Sequence, residues 1–243
     1  MLSGMLDAVQ GCLKEEMRMS IISNNLANVN VMGFKKDVIS FQDLLKAAEG
    51  GTDNDTKSID QALVQIKTDI SQGDIRFTGN TLDFAIYGEG FFKVDTPDGM
   101  LYSRKGNFTL DNVGFLTTQE GYKVMGEGGP IGIFGNQIHV NDKGVITADG
   151  AEVGRIDMVT FENASALVKD GMSCYRNVSG EPETPVDSDT KIQQGYVELS
   201  NVNVAEEMVN MIHCSRAFEG YQKAIQVLDG VNNKAINEVS RLR

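Results

Sequence analysis

Apolar positions repeat with two different periods along this chain. Toward the C-terminus, Met211, Cys214, Phe218, Tyr221, Ile225, Leu228, Asn232, Ala235, Val239 and Leu242 succeed one another at alternating steps of three and four, and only Asn232 is polar. That spacing is the seam of a long helix that packs on another helix. The seam begins after Asn203, a capping residue, with Glu206 and Glu207 at the positive end of the helix dipole, and it closes on Arg241 and Arg243. A helix over residues 204–243 would be roughly 60 Å long, at 1.5 Å per residue. The N-terminal stretch repeats the alternation through Leu2, Met5, Val9, Cys12, Glu16, Met19, Ser23 and Leu26, and Leu6, Leu13 and Met17 widen the stripe. It stops between Asn30 and Gly33, where glycine accepts a left-handed cap. Gly11, Gly220 and Gly230 are poor helix formers inside these stretches and are expected where helices approach closely.

Between the ends the period shortens. FFKV, MLYS, FTL, FLTT, YKVM, IHV, VIT and RIDMVTF are short apolar runs separated by Pro97-Asp98-Gly99, Asp111-Asn112-Val113-Gly114, Glu120-Gly121, Asp142-Lys143-Gly144 and Asp149-Gly150. Runs and turns at this spacing predict a compact antiparallel β domain. GFKKDVISFQDLLK reads as an extended turn followed by a short helix, and GGTDNDTKSIDQ as a flexible loop. The expected fold is therefore α+β, with long N- and C-terminal helices pairing as a coiled coil around a central antiparallel β-rich domain. Its parts are an N-terminal helix over 1–33, a turn, short helix and loop over 34–65, a β-rich body over 66–203, and a C-terminal helix over 204–243.

Charge follows the same division. The 243 residues carry a net charge of −12, yet residues 1–49 hold six acids and five bases, and residues 204–243 hold five of each. The middle is the acidic part, and 21 of the 26 glycines and all four prolines lie there too. An acidic chain repels the phosphate backbone, so nucleic acid is excluded as a partner. No run of apolar residues is long enough to span a bilayer, and the first residues lack the basic and apolar regions of a cleaved signal, so neither lipid insertion nor a signal peptide is expected. Cys12, Cys174 and Cys214 are odd in number and scattered, which fits neither a disulfide framework nor zinc-ligand spacing.

Candidate chemistry is sparse. His139 and His213 have no partner at ligand spacing, and Cys12 and Cys214 sit on helix seams as small apolar residues. Gly126-Glu127-Gly128-Gly129-Pro130 opens no helix bearing Lys and Ser or Thr, so it reads as a tight turn and not a phosphate cradle. Asp95, Asp98, Asp111, Asp142, Asp187 and Asp189 fall almost entirely at turn tips and form no twelve-residue calcium loop. No catalytic, cofactor-binding or metal-binding residue is assigned, and no cofactor is expected. Seams with interface to spare and no visible active site describe a chain that assembles.

Three segments resemble the bacterial flagellar rod and hook protein family: SIISNNLANVNVMGFKK near the start, DIRFTGNTLDFAIYGEGFFKV followed by MLYSRKGNFTLDNVGFLTT in the middle, and VELSNVNVAEEMVNMIHCSRAFEGYQKAIQ near the end. Together they cover about half the chain in the family's order. Val31, Met32 and Thr81 depart from its usual pattern. The resemblance implies an axial structural protein, not an enzyme. Such a subunit is exported unfolded through the flagellar type III apparatus without a cleaved signal, and assembles with itself and other axial proteins into the rod of the basal body, a drive shaft crossing the periplasm. Its terminal helices form the inner layer. Independently of the resemblance, a monomer that must stay soluble is expected to order residues up to about 33 and beyond about 204 only on docking. The polymerisation interface would then be carried by Leu2, Met5, Val9, Leu13, Met19, Leu26 and Asn28 at one end. At the other it would be carried by Met211, Cys214, Phe218, Tyr221, Ile225, Leu228, Asn232, Ala235, Val239 and Leu242. KVMGEGGPI and the short body resemble the proximal rod type more, whereas NNLANVNVMGFKKDVISFQDLL is close to the distal type; proximal is the favoured reading, and a distal-rod or hook-type subunit the alternative. Other classes are a rod-associated cell-wall hydrolase, for which Asp83, Glu89 and Glu120 are the candidate acids, and a soluble carbohydrate-binding or adhesive module.

Overall fold

A computed structural model describes residues 2–40, 65–163, 167–171 and 173–241. The chain divides into a helical unit, residues 1–27 with 203–243, and a body, residues 28–202.

In the helical unit, α1 spans Leu2–Ala27 and α2 spans Val204–Arg241. They pack on each other and run antiparallel: Gly11 lies against the Tyr221 ring, and the Cys214 thiol donates to the Glu15 carbonyl at 3.0 Å. The α2 cap forms as its residues dictate, with Asn203 Oδ1 accepting the Ala205 and Glu206 amides at 3.1 and 3.4 Å. Helix α1 ends at Ala27, six residues before Gly33. Residues 28–33 form a turn in which the Val31 amide bonds the Asn28 carbonyl at 3.0 Å, and Gly33 takes the left-handed conformation at φ 67°.

The body is built of antiparallel strands. Its largest sheet orders Leu167–Lys169, Cys174–Asn177, Gly99–Ser103, Phe91–Thr96, Lys123–Gly126, Leu116–Thr117 and Thr109–Leu110 side by side. Successive strand residues face opposite ways, and Phe91 and Phe92 show it directly. Phe92 enters one apolar cluster with Phe84, Phe108, Leu116, Val124 and Ile156, while Phe91 enters a second with Tyr102, Val159, Phe161 and Tyr175. Edge-to-face ring pairs tighten both, Phe92–Phe108 at 5.2 Å and Tyr102–Phe161 at 4.8 Å. Both faces of this sheet are thus covered, which is why the FFKV run does not alternate.

Turn chemistry fixes the hairpins. Ala148 pairs with Ala151 across Asp149-Gly150, both at positive φ (52° and 86°), the two-residue turn whose twist suits a hairpin. The run RIDMVTF, expected as one strand, is two: Ala151–Arg155 ends a three-stranded sheet, and Met158–Thr160 joins the largest sheet. Ile156 and Asp157 turn the chain between them by donating to the Gly144 carbonyl at 2.9 Å and the Met125 carbonyl at 3.2 Å. The extended turn expected after Gly33 is a strand over Asp37–Ser40, paired with Gln65–Thr68. The short helix and loop expected beyond it fall on residues 41–64, outside the described residues. The last two strands close the body on its earliest part, Lys191–Gln194 pairing with Phe84–Tyr87 and Tyr196–Glu198 with Ile75–Phe77.

Candidate assembly surface and a buried ion cluster

Helix α1 is apolar on two faces, and α2 covers one of them. The covered face carries Ala8, Glu15, Ile22 and Asn25, with Met5, Cys12 and Met19 half-buried beside them. This stripe is shifted by one residue from the expected seam: Val9, Glu16 and Ser23 are exposed where Ala8, Glu15 and Ile22 are buried. The second face carries Leu6, Val9, Leu13 and Met17, exposed by 54, 38, 59 and 42%. On α2 the expected positions do face α1's side of the pair: Cys214 is buried, Met211, Phe218, Ile225, Leu228 and Asn232 are half-buried, and Tyr221 is 38% exposed. Leu26 and Asn28 are half-buried. The side chains of Leu2, Ala235 and Val239, and Leu242 altogether, lie outside what is described. Away from the seam, α2 exposes Val204, Met208, Val209 and Ile212.

A polar pair lies within the helix contact. Cys214 Sγ donates to Glu15 Oε2 at 3.1 Å, and Arg18 stands 3.8 Å from the same carboxylate. Burial, reinforced by Glu15, pushes the Cys214 thiol up to about 11. Of the helix glycines, Gly11 sits where a methyl group would meet the Tyr221 ring at 2.5 Å, while Gly220 and Gly230 face open space in this chain.

The body also holds a cluster of buried charges that no local pattern announces. Lys35 and Glu198 are fully buried and Arg104 is 3% exposed. Lys35 Nζ donates to Glu198 Oε1 and, at 2.6 Å, to the Ser71 carbonyl. Arg104 Nη1 reaches Glu198 Oε2 at 3.2 Å, Arg104 Nη2 the Gly88 carbonyl at 2.8 Å, and the Gly73 amide donates to Glu198 Oε1 at 2.8 Å. Gly33 and Gly73 let backbone close in around the charges: a methyl group at Gly33 would strike the Lys105 nitrogen, and one at Gly73 the Leu199 carbonyl. Burial pulls Lys35 and Arg104 below their ordinary values, and Glu198 opposes the shift in both. Removing one partner of such a cluster leaves a buried charge uncompensated, at about 3–5 kcal/mol.

The three acids considered for hydrolysis are engaged separately. Asp83 accepts Thr78 Oγ1 at 2.6 Å and Asn80 Nδ2 at 3.0 Å, and Glu120 pairs with Lys105 at 2.7 Å. Glu89 lines a cleft with Gln72, Phe91, Arg104 and Phe161, into which neither other acid converges. Among the described residues no group of His, Cys, Asp or Glu is placed to hold a metal, and no helix is long and apolar enough to cross a membrane.

Known proteins match this chain in sequence along nearly its whole length. Residues 9–35 match the family described as flagella basal body rod protein, residues 85–149 the flagellar hook protein FlgE/F/G D1 domain, and residues 193–238 the flagellar basal body rod FlgEFG protein C-terminal. The chain is 33% identical to the flagellar basal-body rod protein FlgG of Bacillus subtilis (strain 168), over 98% of this chain and 99% of that protein. The chain belongs to the flagellar basal-body rod protein family. It is also 38% identical to the FlgG of Buchnera aphidicola subsp. Schizaphis graminum over 90% of this chain and 93% of that protein, and 32% identical to the FlgF of Caulobacter vibrioides over 96% and 95%. This is a family of structural subunits, not enzymes. Each of the three matched segments supplies one charge of the buried cluster: Lys35, Arg104 and Glu198.

Proposed function

We propose that this rod subunit polymerises through its terminal helices, which form a coiled-coil layer with neighbouring copies or related axial subunits and transmit torque for motility. The carrying observation is the second apolar face of α1, Leu6, Val9, Leu13 and Met17, which α2 leaves uncovered. A surface that is apolar on two faces of one helix has a place for two partners, and among the described residues α2 covers one. Contacts repeated head to tail without closing build a helical filament. In this reading the α2 seam, from Met211 to Leu242, serves the interface by holding α1 in place, and the exposed Val204, Met208, Val209 and Ile212 extend the surface. The resemblance adds delivery through the flagellar export apparatus, without a cleaved signal, to a rod that crosses the periplasm.

The exposed face gives a cleaner test than the seam. Leu13→Asp adds a charge in solvent, so monomer stability should stay within about 0.5 kcal/mol. The same charge in the assembled interface would be buried without a partner. A strain carrying Leu13→Asp should be non-motile and lack the subunit in purified basal bodies, while the purified variant keeps the wild-type unfolding midpoint. Normal swimming would overturn the proposal. The proximal rod is the favoured position, and which part of the basal body is missing in micrographs of a deletion strain decides between it and a distal-rod or hook-type subunit.

A further inference from the structure

The chain enters the body at residue 28 and leaves it at residue 202. The stretches just inside these two points lie against each other. The Gly33 amide bonds the Glu198 carbonyl at 2.8 Å, the Lys36 amide bonds Asn201 Oδ1 at 2.8 Å, and Asn201 Nδ2 bonds the Asp69 carbonyl at 2.9 Å. Lys35 and Glu198 pair at their centre, and Arg104 anchors the pair to the largest sheet.

We propose that the Lys35–Glu198–Arg104 cluster is a coupling device that makes ordering of the entering stretch, residues 33–36, and of the leaving stretch, residues 198–201, one cooperative event. The reason is electrostatic. If the leaving stretch opens, Lys35 and Arg104 remain in the interior without their shared carboxylate. If the entering stretch opens, Glu198 loses its ammonium partner and the Ser71 carbonyl loses its donor. Opening either stretch breaks the buried Lys35–Glu198 pair, and opening the second then loses nothing further from it, so the two openings are coupled by that pair even though Arg104 and the Gly73 amide keep hold of Glu198 when the entering stretch alone opens. The inference uses the geometry of the body alone and stands whether or not the helices polymerise. In a subunit whose two ends act together, it keeps them in step.

Native-state hydrogen exchange on the full chain, resolved by NMR, tests it with two amides whose bonds avoid the three side chains. The Asp69 amide bonds the Lys36 carbonyl and reports the entering stretch; the Leu199 amide bonds the Asp74 carbonyl and reports the leaving one, at 2.9 and 2.8 Å. In the wild-type chain both should show the same opening equilibrium. Lys35→Met should speed exchange at Leu199 tenfold or more, and Glu198→Gln should do the same at Asp69, while the Leu116 amide in the largest sheet stays protected. A change confined to the stretch that carries the substitution would overturn the proposal. Should Glu198→Gln unfold the whole body, the triple variant K35M/R104M/E198M, which buries no charge, is read instead. Its two amides should exchange at different rates, and an unchanged common rate would equally overturn the proposal.

Discussion

Replacing Gly220 by alanine should stabilise the monomer, and replacing Gly11 should not. Both glycines lie inside long helices, where alanine is better than glycine by about 1 kcal/mol because it restricts the unfolded chain and covers backbone. At Gly220 nothing lies within 4 Å of the added methyl group, so the whole gain is realised. At Gly11 the methyl group would lie 2.5, 2.6 and 2.9 Å from Cε1, Cζ and Cδ1 of Tyr221, well inside contact distance. The ring must move. Tyr221 is 38% exposed and can turn outward, which limits the penalty to an off-rotamer cost of about 0.5–1.5 kcal/mol plus lost packing. The expected sum at Gly11 runs from neutral to about 2 kcal/mol destabilising once overpacking is included. The difference between the two variants should therefore exceed about 1 kcal/mol, or roughly 2–4 °C in midpoint for a chain of this size. Urea unfolding of the purified monomer, followed by helical circular dichroism, measures it. A cycle with Tyr221→Ala isolates the cause: in that background Gly11→Ala should recover the full propensity gain. Equal stabilisation by the two glycine replacements would refute the close approach of α1 and α2 at this level. The same pair probes assembly, because if Gly220 faces a neighbour in the rod, its alanine variant should be more stable alone and yet incorporate poorly.

Two further expectations concern titration. With iodoacetamide at pH 8, half-exposed Cys12 should be alkylated first, because Cys214 is buried and, at a pKa of about 11, is thiolate in roughly one molecule in a thousand; equal rates at the two sites would show that the helix pair opens freely. Glu183 accepts Tyr102 Oη at 2.5 Å and Lys93 Nζ at 2.7 Å, and although burial raises its pKa these bonds outweigh it and leave the carboxyl below the ordinary value of 4.5. A depressed carboxylate contributes stability above its ordinary value and loses it as pH falls through the lowered one. The urea midpoint should thus drop below about pH 4.5, and Glu183→Gln should flatten that part of the profile; a profile unchanged by the substitution would refute the assignment.

How much of this was legible in the sequence depended on whether local chemistry alone decided the outcome. The α2 seam was readable because an unbroken three-four alternation singles it out from the other apolar residues of the helix, and Cys214, Phe218, Ile225 and Leu228 on it are sheltered while Val209, Ile212, Val227 and Val231 off it are exposed. Asn203 capped it and Asp149-Gly150 turned a hairpin for reasons confined to a few residues. The period places the α1 seam one residue from the covered stripe because Val9 continues the run of Leu6, Leu13 and Met17, whereas the face that α2 covers holds Ala8 and Glu15 beside Ile22. When a helix is apolar on two sides the period cannot say which side a given partner takes; here the stronger stripe is the one left uncovered. The ion cluster was invisible for a different reason. Lys35, Arg104 and Glu198 are residue types usually solvated, and 163 positions separate Lys35 from Glu198. Only the structure reveals it: in Tyr196–Glu198 a carboxylate follows Val197 inside a strand, and both are buried. A charge that a strand holds where solvent does not reach needs an opposite charge brought from elsewhere in the chain. In a fold whose last strand pairs with one of its first, the far end is where that charge was to be sought.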